Sequence, residues 1–265
     1  KTGINEIAID IGTNAEILLN CSGKVFVTST AAGPAFEGKG IHSGMRAAPG
    51  AINSVKISRV NGNIILGMLD DGKAENPRGL CGSGLIDAIS ELMKARLLKK
   101  DGYLLTREEA LRQNVNINLC EHLKSDDKDG NCFILSKENN IVITQKDIRN
   151  VQLAKGAIQA GCEILLKKAG IGLNDINSIK IAGVFGKYIH VSQAMNFGLF
   201  PKYPEKLEIV GNAAGDGAAM ALFEDGFIDE MEKQVKKVHH VELAGEKDFQ
   251  KKFMNAMELK EWYYN

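Results

Sequence analysis

The stretch that decides the fold lies near the N-terminus, where residues 6–29 read EIAIDIGTNAEILLNCSGKVFVTS. Short apolar runs separated by turn residues predict three strands, at Glu6–Asp10, Ala15–Leu19 and Val25–Ser29. The connections between them are rich in glycine and asparagine, which favour tight turns. Three strands joined by such short turns predict an antiparallel meander.

Beyond this meander the pattern alternates between strands and helices. A helix is expected after the loop Gly82-Ser83-Gly84, and a long helix to Ala169 opens with a capping box formed by Thr144 and Asp147. The other predicted elements are strands at Val55–Val60, Ile64–Leu69, Ile179–Ala182 and Leu207–Val210, and helices at Val191–Met195 and Ala214–Phe223.

This order of elements predicts an α/β layer with the arrangement of a ribonuclease-H-like lobe. We assign residues 1–227 to that lobe, with insertions near 30–80 and 99–143, the second of which is polar and broken over Lys99–Asn140. Residues 228–265 alternate acids and bases at helical spacing, which predicts a helical tail packed on the lobe.

Composition excludes several classes of protein. The chain has 265 residues, with 33 basic and 33 acidic side chains, so no strongly basic surface favours nucleic acid. No apolar run approaches the roughly 18 residues that predict a membrane span. The five cysteines include no C-x-x-C pair, which favours reduced thiols and a cytoplasmic location. The first residues lack Met and run almost at once into a strand, which suggests that an N-terminal part of a longer protein is missing.

The first candidate site is the turn after the first strand. Backbone N–H groups exposed around Gly12 can cradle a phosphate, and the Thr13 hydroxyl and Asn14 amide add donors. Asp10, at the end of the strand, is the candidate catalytic residue and metal ligand, because it could hold Mg²⁺ through water or orient an attacking water. An ordinary hairpin with an Asx turn explains this short motif equally well.

Three later glycine loops can also be interpreted either as ligand-binding sites or as ordinary structural turns. Gly82, Ser83 and Gly84 precede a predicted helix, and such glycines can form an anion site at the helix N-terminus. Gly183 and Gly186 end a buried strand and could let a flat base approach the backbone, although a strand-to-helix turn is an equal alternative. The small residues of Gly211–Ala219 suit either close helix packing or a hinge between two lobes.

Taken in order, these loops resemble the ATPase superfamily that includes acetate and sugar kinases, actin and heat-shock chaperones. Residues 10–14 resemble its second phosphate motif, residues 211–221 its second connecting helix, and residues 181–186 its adenosine motif, with Ala182-Gly183 where Gly-Gly is more usual. The adenosine resemblance adds Phe185 to Gly183 and Gly186 as residues near the base.

Three segments, residues 31–38, 79–87 and 183–188, more specifically resemble the C-terminal lobe of the reductive activators of corrinoid proteins. This resemblance covers about residues 7–227 and implies an actin-like ATPase fold that binds ATP and Mg²⁺. It further implies an N-terminal [2Fe–2S] domain and a first ATPase lobe, both absent from this chain, with ATP hydrolysis driving reduction of a Co(II) corrinoid protein to Co(I).

Two other functions stay open at this point. The chain could be a lobe of a small-metabolite kinase of the same superfamily, which would carry a substrate-specific acid or base within Thr30–Gly79. It could instead be a non-catalytic lobe that docks a corrinoid protein without using nucleotide. A homodimer is also compatible with the sequence.

Overall fold

The computed structural model describes residues 3–69, 76–126, 130–183 and 189–263. The strands of these ranges are β1 Asn5–Ile11, β2 Ala15–Cys21, β3 Lys24–Thr30, β4 Ala51–Ile57, β5 Ile64–Met68, β6 Gly79–Leu80, β7 Leu123–Asp126, β8 Gly130–Ser136, β9 Ile141–Thr144, β10 Ser178–Ala182, β11 Leu207–Gly211 and β12 His239–His240. The α-helices are α1 Gly82–Lys94, α2 Arg107–Arg112, α3 Ile117–Cys120, α4 Gln145–Ala169, α5 Val191–Asn196, α6 Ala213–Phe223, α7 Phe227–Val235 and α8 Phe249–Ala256.

A six-stranded sheet of order β11-β10-β1-β2-β3-β12 forms the centre of the molecule. The meander β1–β3 is antiparallel as predicted, while β10 pairs in parallel with β1 and β11 in parallel with β10. The predicted ribonuclease-H-like α/β arrangement is therefore confirmed. Because β1, β10 and β11 run in the same direction, their carboxyl ends meet at one edge of the sheet, where ligands bind in open α/β folds.

Helix α4 covers one face of this sheet and builds much of the core. Its capping box is confirmed, since the Thr144 hydroxyl accepts the Asp147 N–H and Asp147 accepts the Thr144 N–H. At Gly161 the helix approaches the sheet so closely that an added Cβ would lie 2.6 Å from Ile17 Cδ1. The helix thus depends on glycine at this point to reach the sheet.

The first insertion forms a second, three-stranded sheet of order β5-β4-β6 against α1. Two buried carboxylates on α1 accept backbone N–H groups of β4: Asp87 from Val55 at 3.2 Å, and Glu91 from Ile57 at 3.0 Å. These bonds satisfy donors that short β6 leaves unpaired, and they fix α1 against the sheet. Strand β4 ends at Ile57, earlier than predicted, because a turn begins at Ser58, whose carbonyl accepts the Gly62 N–H.

Two other regions differ from the sequence prediction. Lys99–Asn140 contains α2, α3 and the hairpin β7–β8, and its apolar residues Leu104, Leu119 and Phe133 are fully buried, so it is less broken than its polar composition indicated. The tail contains helices α7 and α8 but also β12, which extends the central sheet beside β3. Among the helices that the structure describes, none combines the length and apolarity that crossing a membrane would require.

Candidate functional site

A cavity of about 490 Å³ opens at the sheet edge where β1, β10 and β11 end. Its volume lies within the range typical of small-molecule sites. The residues that line it are Asp10, Ile11, Gly12, Phe36, Glu37, Met45, Arg46, Ala47, Cys81, Gly82, Ser83, Gly183, Asn212 and Ala214. The structure thus brings together residues from all four glycine loops of the sequence.

The β1–β2 turn forms one wall of this cavity. It is closed by a hydrogen bond from the Gly12 N–H to the Asn14 carbonyl at 2.9 Å, and anchored by the Gly33 N–H, which donates to the Thr13 carbonyl at 2.8 Å. The Thr13 hydroxyl donates to Glu37 at 2.8 Å. Gly12 therefore lies in the cavity wall. The Thr13 hydroxyl already has Glu37 as its hydrogen-bond partner, and Thr13 and Asn14 form the part of the turn that lies outside the wall.

Two helices begin at the cavity. Helix α1 starts at Gly82, not after Gly84 as predicted, and Gly82 and Ser83 of its first turn line the wall. Helix α6 starts beside Asn212, whose side chain accepts the Gly215 N–H at 3.2 Å. The first N–H groups of a helix have no partner within it and carry a partial positive charge, so both helix ends favour an anion in this space.

The glycine positions have different roles. Gly183 (φ +108°) lies against β1, where an added Cβ would come within 2.5 Å of the Ile11 carbonyl oxygen. Gly84 lies outside the cavity wall; its missing side chain makes room for the Ile52 carbonyl of β4. Phe185 and Gly186 lie outside the described residues. Gly84 thus serves the approach of α1 to the insertion sheet.

Three charged side chains line the cavity. Burial raises the pKa of Asp10, and the neighbouring negative charge of Glu16 on β2 raises it further. Hydrogen bonds from Thr13 and from Lys39 lower the pKa of Glu37, which keeps this carboxylate ionised. Among the described wall residues Arg46 is the cationic one.

Sequence reasoning missed Glu37, Arg46 and Asn212 as site residues. Glu37 lies within the segment 31–38 that carries the family resemblance, but the motif alone gave it no role. Arg46 reaches the wall because the backbone at Gly44 and Met45 pairs with Leu80 of β6, a contact between distant parts of the chain. Asn212 directly precedes α6, and an Asn before a helix is a readable N-cap signal.

The residues present fit a nucleotide with its phosphates. The helix ends supply backbone donors for anions, and Gly183 lies in the same wall, packed directly on the backbone of β1. The described residues contain no group of three metal-ligating side chains. Mg²⁺ is commonly held by one or two carboxylates together with phosphate oxygens and water, and Asp10 is a carboxylate of that kind in the wall.

Comparisons with known proteins agree with this geometry. Residues 5–264 match the family described as the C-terminal domain of RACo, the ASKHA domain. The chain is 38% identical over 260 residues to the corrinoid activation enzyme RamQ of Eubacterium limosum, covering 94% of this chain and 42% of the relative. It is 27% identical over 275 residues to the [Co(II) methylated amine-specific corrinoid protein] reductase of Methanosarcina barkeri, covering 97% and 46%.

A solved structure agrees as well. The reductive activator for corrinoid, iron-sulfur protein superposes with a TM-score of 0.84 at 34% identity, covering 97% of this chain and 40% of that one. The chain therefore spans less than half the length of these relatives. With a family match over nearly its whole length, this chain belongs to the RACo C-terminal family and is an ASKHA domain.

Proposed function

We propose that this chain is the nucleotide-binding lobe of an ATP-dependent reductive activator that returns Co(II) corrinoid proteins to Co(I). The names of the relatives support the corrinoid part of this proposal, since they describe corrinoid activation and Co(II) corrinoid protein reduction. The cavity supports the nucleotide part. The observation that carries it is the meeting of two helix N-termini, α1 and α6, at the carboxyl ends of parallel strands.

In this proposal each wall of the cavity has a separate task. The first turn of α1, with Gly82 and Ser83, and the N-terminus of α6 bind phosphate oxygens through backbone N–H groups. The flat base is proposed to bind beside Gly183, which lies in the wall at the end of β10. The Thr13–Glu37 hydrogen bond holds the β1–β2 turn in one conformation, so that Gly12 faces the phosphates.

Asp10 is the proposed catalytic residue. Its carboxylate lies at the end of β1 in the cavity wall, where it can hold a water-bound Mg²⁺ or accept a hydrogen bond from the attacking water. Mg²⁺, when bound, neutralises part of the phosphate charge. The raised pKa of Asp10 predicts that hydrolysis declines on acidification at a higher pH than an ordinary aspartate would dictate.

The proposed partners are a corrinoid protein and a first ATPase lobe of the same full-length protein, with the electron supplied by a [2Fe–2S] cluster in a further domain. Helices α6 and α7 support the first-lobe partner, because none of their side chains is buried and Phe223 is 84% exposed. Apolar surface of this kind marks an interaction face. A cytoplasmic location is part of the proposal.

The test uses the complete activator, an electron donor and its Co(II) corrinoid partner. Co(I) absorbance should rise faster with MgATP than without it, and Asp10→Asn should reduce ATP hydrolysis much more than nucleotide affinity. The 265-residue chain alone should bind MgATP weakly and hydrolyse it negligibly, because a single lobe cannot exclude water from the phosphates. Equal Co(I) formation with and without ATP would instead favour a lobe that only docks the corrinoid protein.

One observation favours a second candidate, the small-metabolite kinase. Such an enzyme needs an acid or base from the Thr30–Gly79 insertion, and Glu37 of that insertion lies in the cavity. The two functions are separated by products: the kinase transfers the terminal phosphate to a metabolite, whereas the activator releases inorganic phosphate. The names of the relatives favour the activator.

A further inference from the structure

The cavity contains more negative than positive charge, although its proposed ligand is a polyanion. Of the described side chains in the wall, Asp10 and Glu37 are acidic and Arg46 is basic. Phosphates beside two carboxylates are repelled unless cations compensate. Mg²⁺ can supply part of that compensation, and the protein must supply the rest from its own cationic side chains.

Glu37 and Arg46 do not neutralise each other by direct contact. Glu37 accepts a hydrogen bond from Thr13 at 2.8 Å and forms an ion pair with Lys39 at 3.1 Å. Arg46 influences the charge of Glu37 only through space, and among the described residues it has neither a hydrogen bond nor an ion pair. Arg46 is exposed and lies in the cavity wall.

The backbone that carries Arg46 is fixed relative to the helix end that lines the same cavity. The Met45 N–H donates to the Leu80 carbonyl at 2.8 Å, and the Leu80 N–H donates to Ser43 at 2.8 Å. Leu80 directly precedes Cys81, the N-cap of α1. The backbone of Arg46 and the first turn of α1 are thus held next to each other by the short pairing of residues 43–45 with Leu80.

A second contact fixes this loop from the other side. Gly38 (φ +76°) packs against Met45 so closely that an added Cβ would lie 2.3 Å from the Met45 carbonyl oxygen. Gly38 follows the short 3₁₀ helix Ala35–Glu37, which brings Glu37 to the wall. The acidic and basic side chains of the insertion therefore belong to one compact loop, whose backbone is fixed on both sides of Arg46's attachment at the cavity wall.

We propose that Arg46 binds the phosphate oxygens of the nucleotide in this cavity, together with the N-terminus of α1. A guanidinium is suited to this task because it is always charged and its planar fork can bind two phosphate oxygens at once. Glu37 is then a positioning residue, which holds Thr13 and leaves Arg46 to the ligand. This inference rests on the proposed nucleotide function and adds the residue that recognises the phosphates.

The test compares Arg46→Gln with wild type, both in the complete activator, by calorimetric titration of MgATP, MgADP and adenosine. The variant should bind MgATP and MgADP about 10- to 100-fold more weakly, the loss expected for a charged hydrogen-bonded contact, and adenosine within about twofold of wild type. The affinity of the variant for MgATP should also depend less on salt concentration, since one cationic contact is lost. Arg46→Lys should recover part of the loss.

Arg59→Gln is the matched control, because Arg59 is exposed and lies outside this cavity wall. It should leave all three affinities unchanged. If wild type binds MgATP and Arg46→Gln binds it equally well, the role of Arg46 is overturned while the nucleotide function stands. If Arg46→Gln weakens adenosine as much as MgATP, the residue supports the fold and not the phosphates. If wild type binds none of the three ligands, the nucleotide function itself is overturned.

Discussion

Two parts near the end of the chain, the C-terminal segment of residues 256–262 and the arm formed by α6 and α7, differ in how far their apolar side chains are buried. In the C-terminal segment Leu259 is 0% exposed and Trp262 is 4% exposed. In the arm Leu222 is 81% exposed and Phe223 is 84% exposed. The first segment completes the core of this chain, whereas the second presents apolar side chains that nothing in the described structure covers.

The C-terminal segment is held by two buried polar side chains of α4. The ammonium group of Lys155, which is 1% exposed, donates to the carbonyls of Ala256 and Glu258. Gln152 donates to the Met257 carbonyl at 2.9 Å. These bonds satisfy carbonyls at the C-terminal end of α8 and just beyond it, where no helical N–H follows, so this part of the chain depends on α4 for its conformation.

The difference separates a part that stabilises this chain from a part where we propose that a first lobe binds. Substitutions at the C-terminal segment and its anchor should act on folding of the chain itself. Substitutions in the arm should leave folding nearly unchanged and act on association.

The largest effect is expected for Lys155→Ala. The substitution leaves the Ala256 carbonyl without a donor, leaves the Glu258 carbonyl with the Lys260 N–H alone, and opens a cavity beneath them. We therefore expect the free energy of unfolding to fall by about 3 kcal/mol. Urea unfolding measures this loss. Lys167→Ala is the control on the same helix; its ion pair with Asp248 is exposed and screened by solvent, so its loss should change stability little. Equal losses in the two variants would contradict a special role for Lys155.

The same contact should also make stability depend on pH, with a change per pH unit that is smaller than the loss in Lys155→Ala. Burial, aided by the positive charge of Lys260, lowers the pKa of Lys155 from 10.5 to about 7. Between these values the unfolded chain binds a proton that the folded chain does not, so the free energy of unfolding should rise with pH by up to about 1.4 kcal/mol per unit. Below pH 7 Lys155 is protonated in both the folded and the unfolded chain, so its contribution to the free energy of unfolding stays at its lowest value.

The measurement is urea unfolding of wild type and Lys155→Met at several pH values between 6 and 10. The difference between the two proteins isolates Lys155, because other titrating groups are shared. A difference that stays constant over this range would show that Lys155 keeps its ordinary pKa and that the carbonyls around it fully compensate its burial.

Local signals made the central sheet predictable, whereas long-range contacts made parts of the site unpredictable. The meander follows from turns such as Gly12–Asn14, whose bonds lie within a few residues of each other. Lys155 lies four residues after Val151 on the buried face of α4, and its burial was not predicted from the sequence. Arg46 gave no local signal either, because its place in the wall depends on β6 pairing.

The two-residue strand β12 shows the same limit. It contains only His239 and His240, both exposed, and has no strand pattern of its own. Its position is set by its neighbours, since the Val241 N–H donates to the Val27 carbonyl at 2.8 Å and the Thr28 hydroxyl donates to Val241 at 2.7 Å. A tail of alternating charges therefore predicted helices correctly at α7 and α8 and gave no indication of the strand between them.

The smallest effect on this chain is expected in the arm, for Phe223→Ser. Because Phe223 is 84% exposed, its loss should change the free energy of unfolding of the 265-residue chain by less than about 0.5 kcal/mol. In the complete activator, where we propose that a first lobe covers the arm, the same substitution should cost about 2 kcal/mol or more, as for a buried aromatic side chain. Urea unfolding of both proteins gives the two values. A loss above about 1 kcal/mol in the short chain would mean that the arm packs against its own lobe in solution, and equal small losses in both proteins would show that the first lobe leaves Phe223 uncovered.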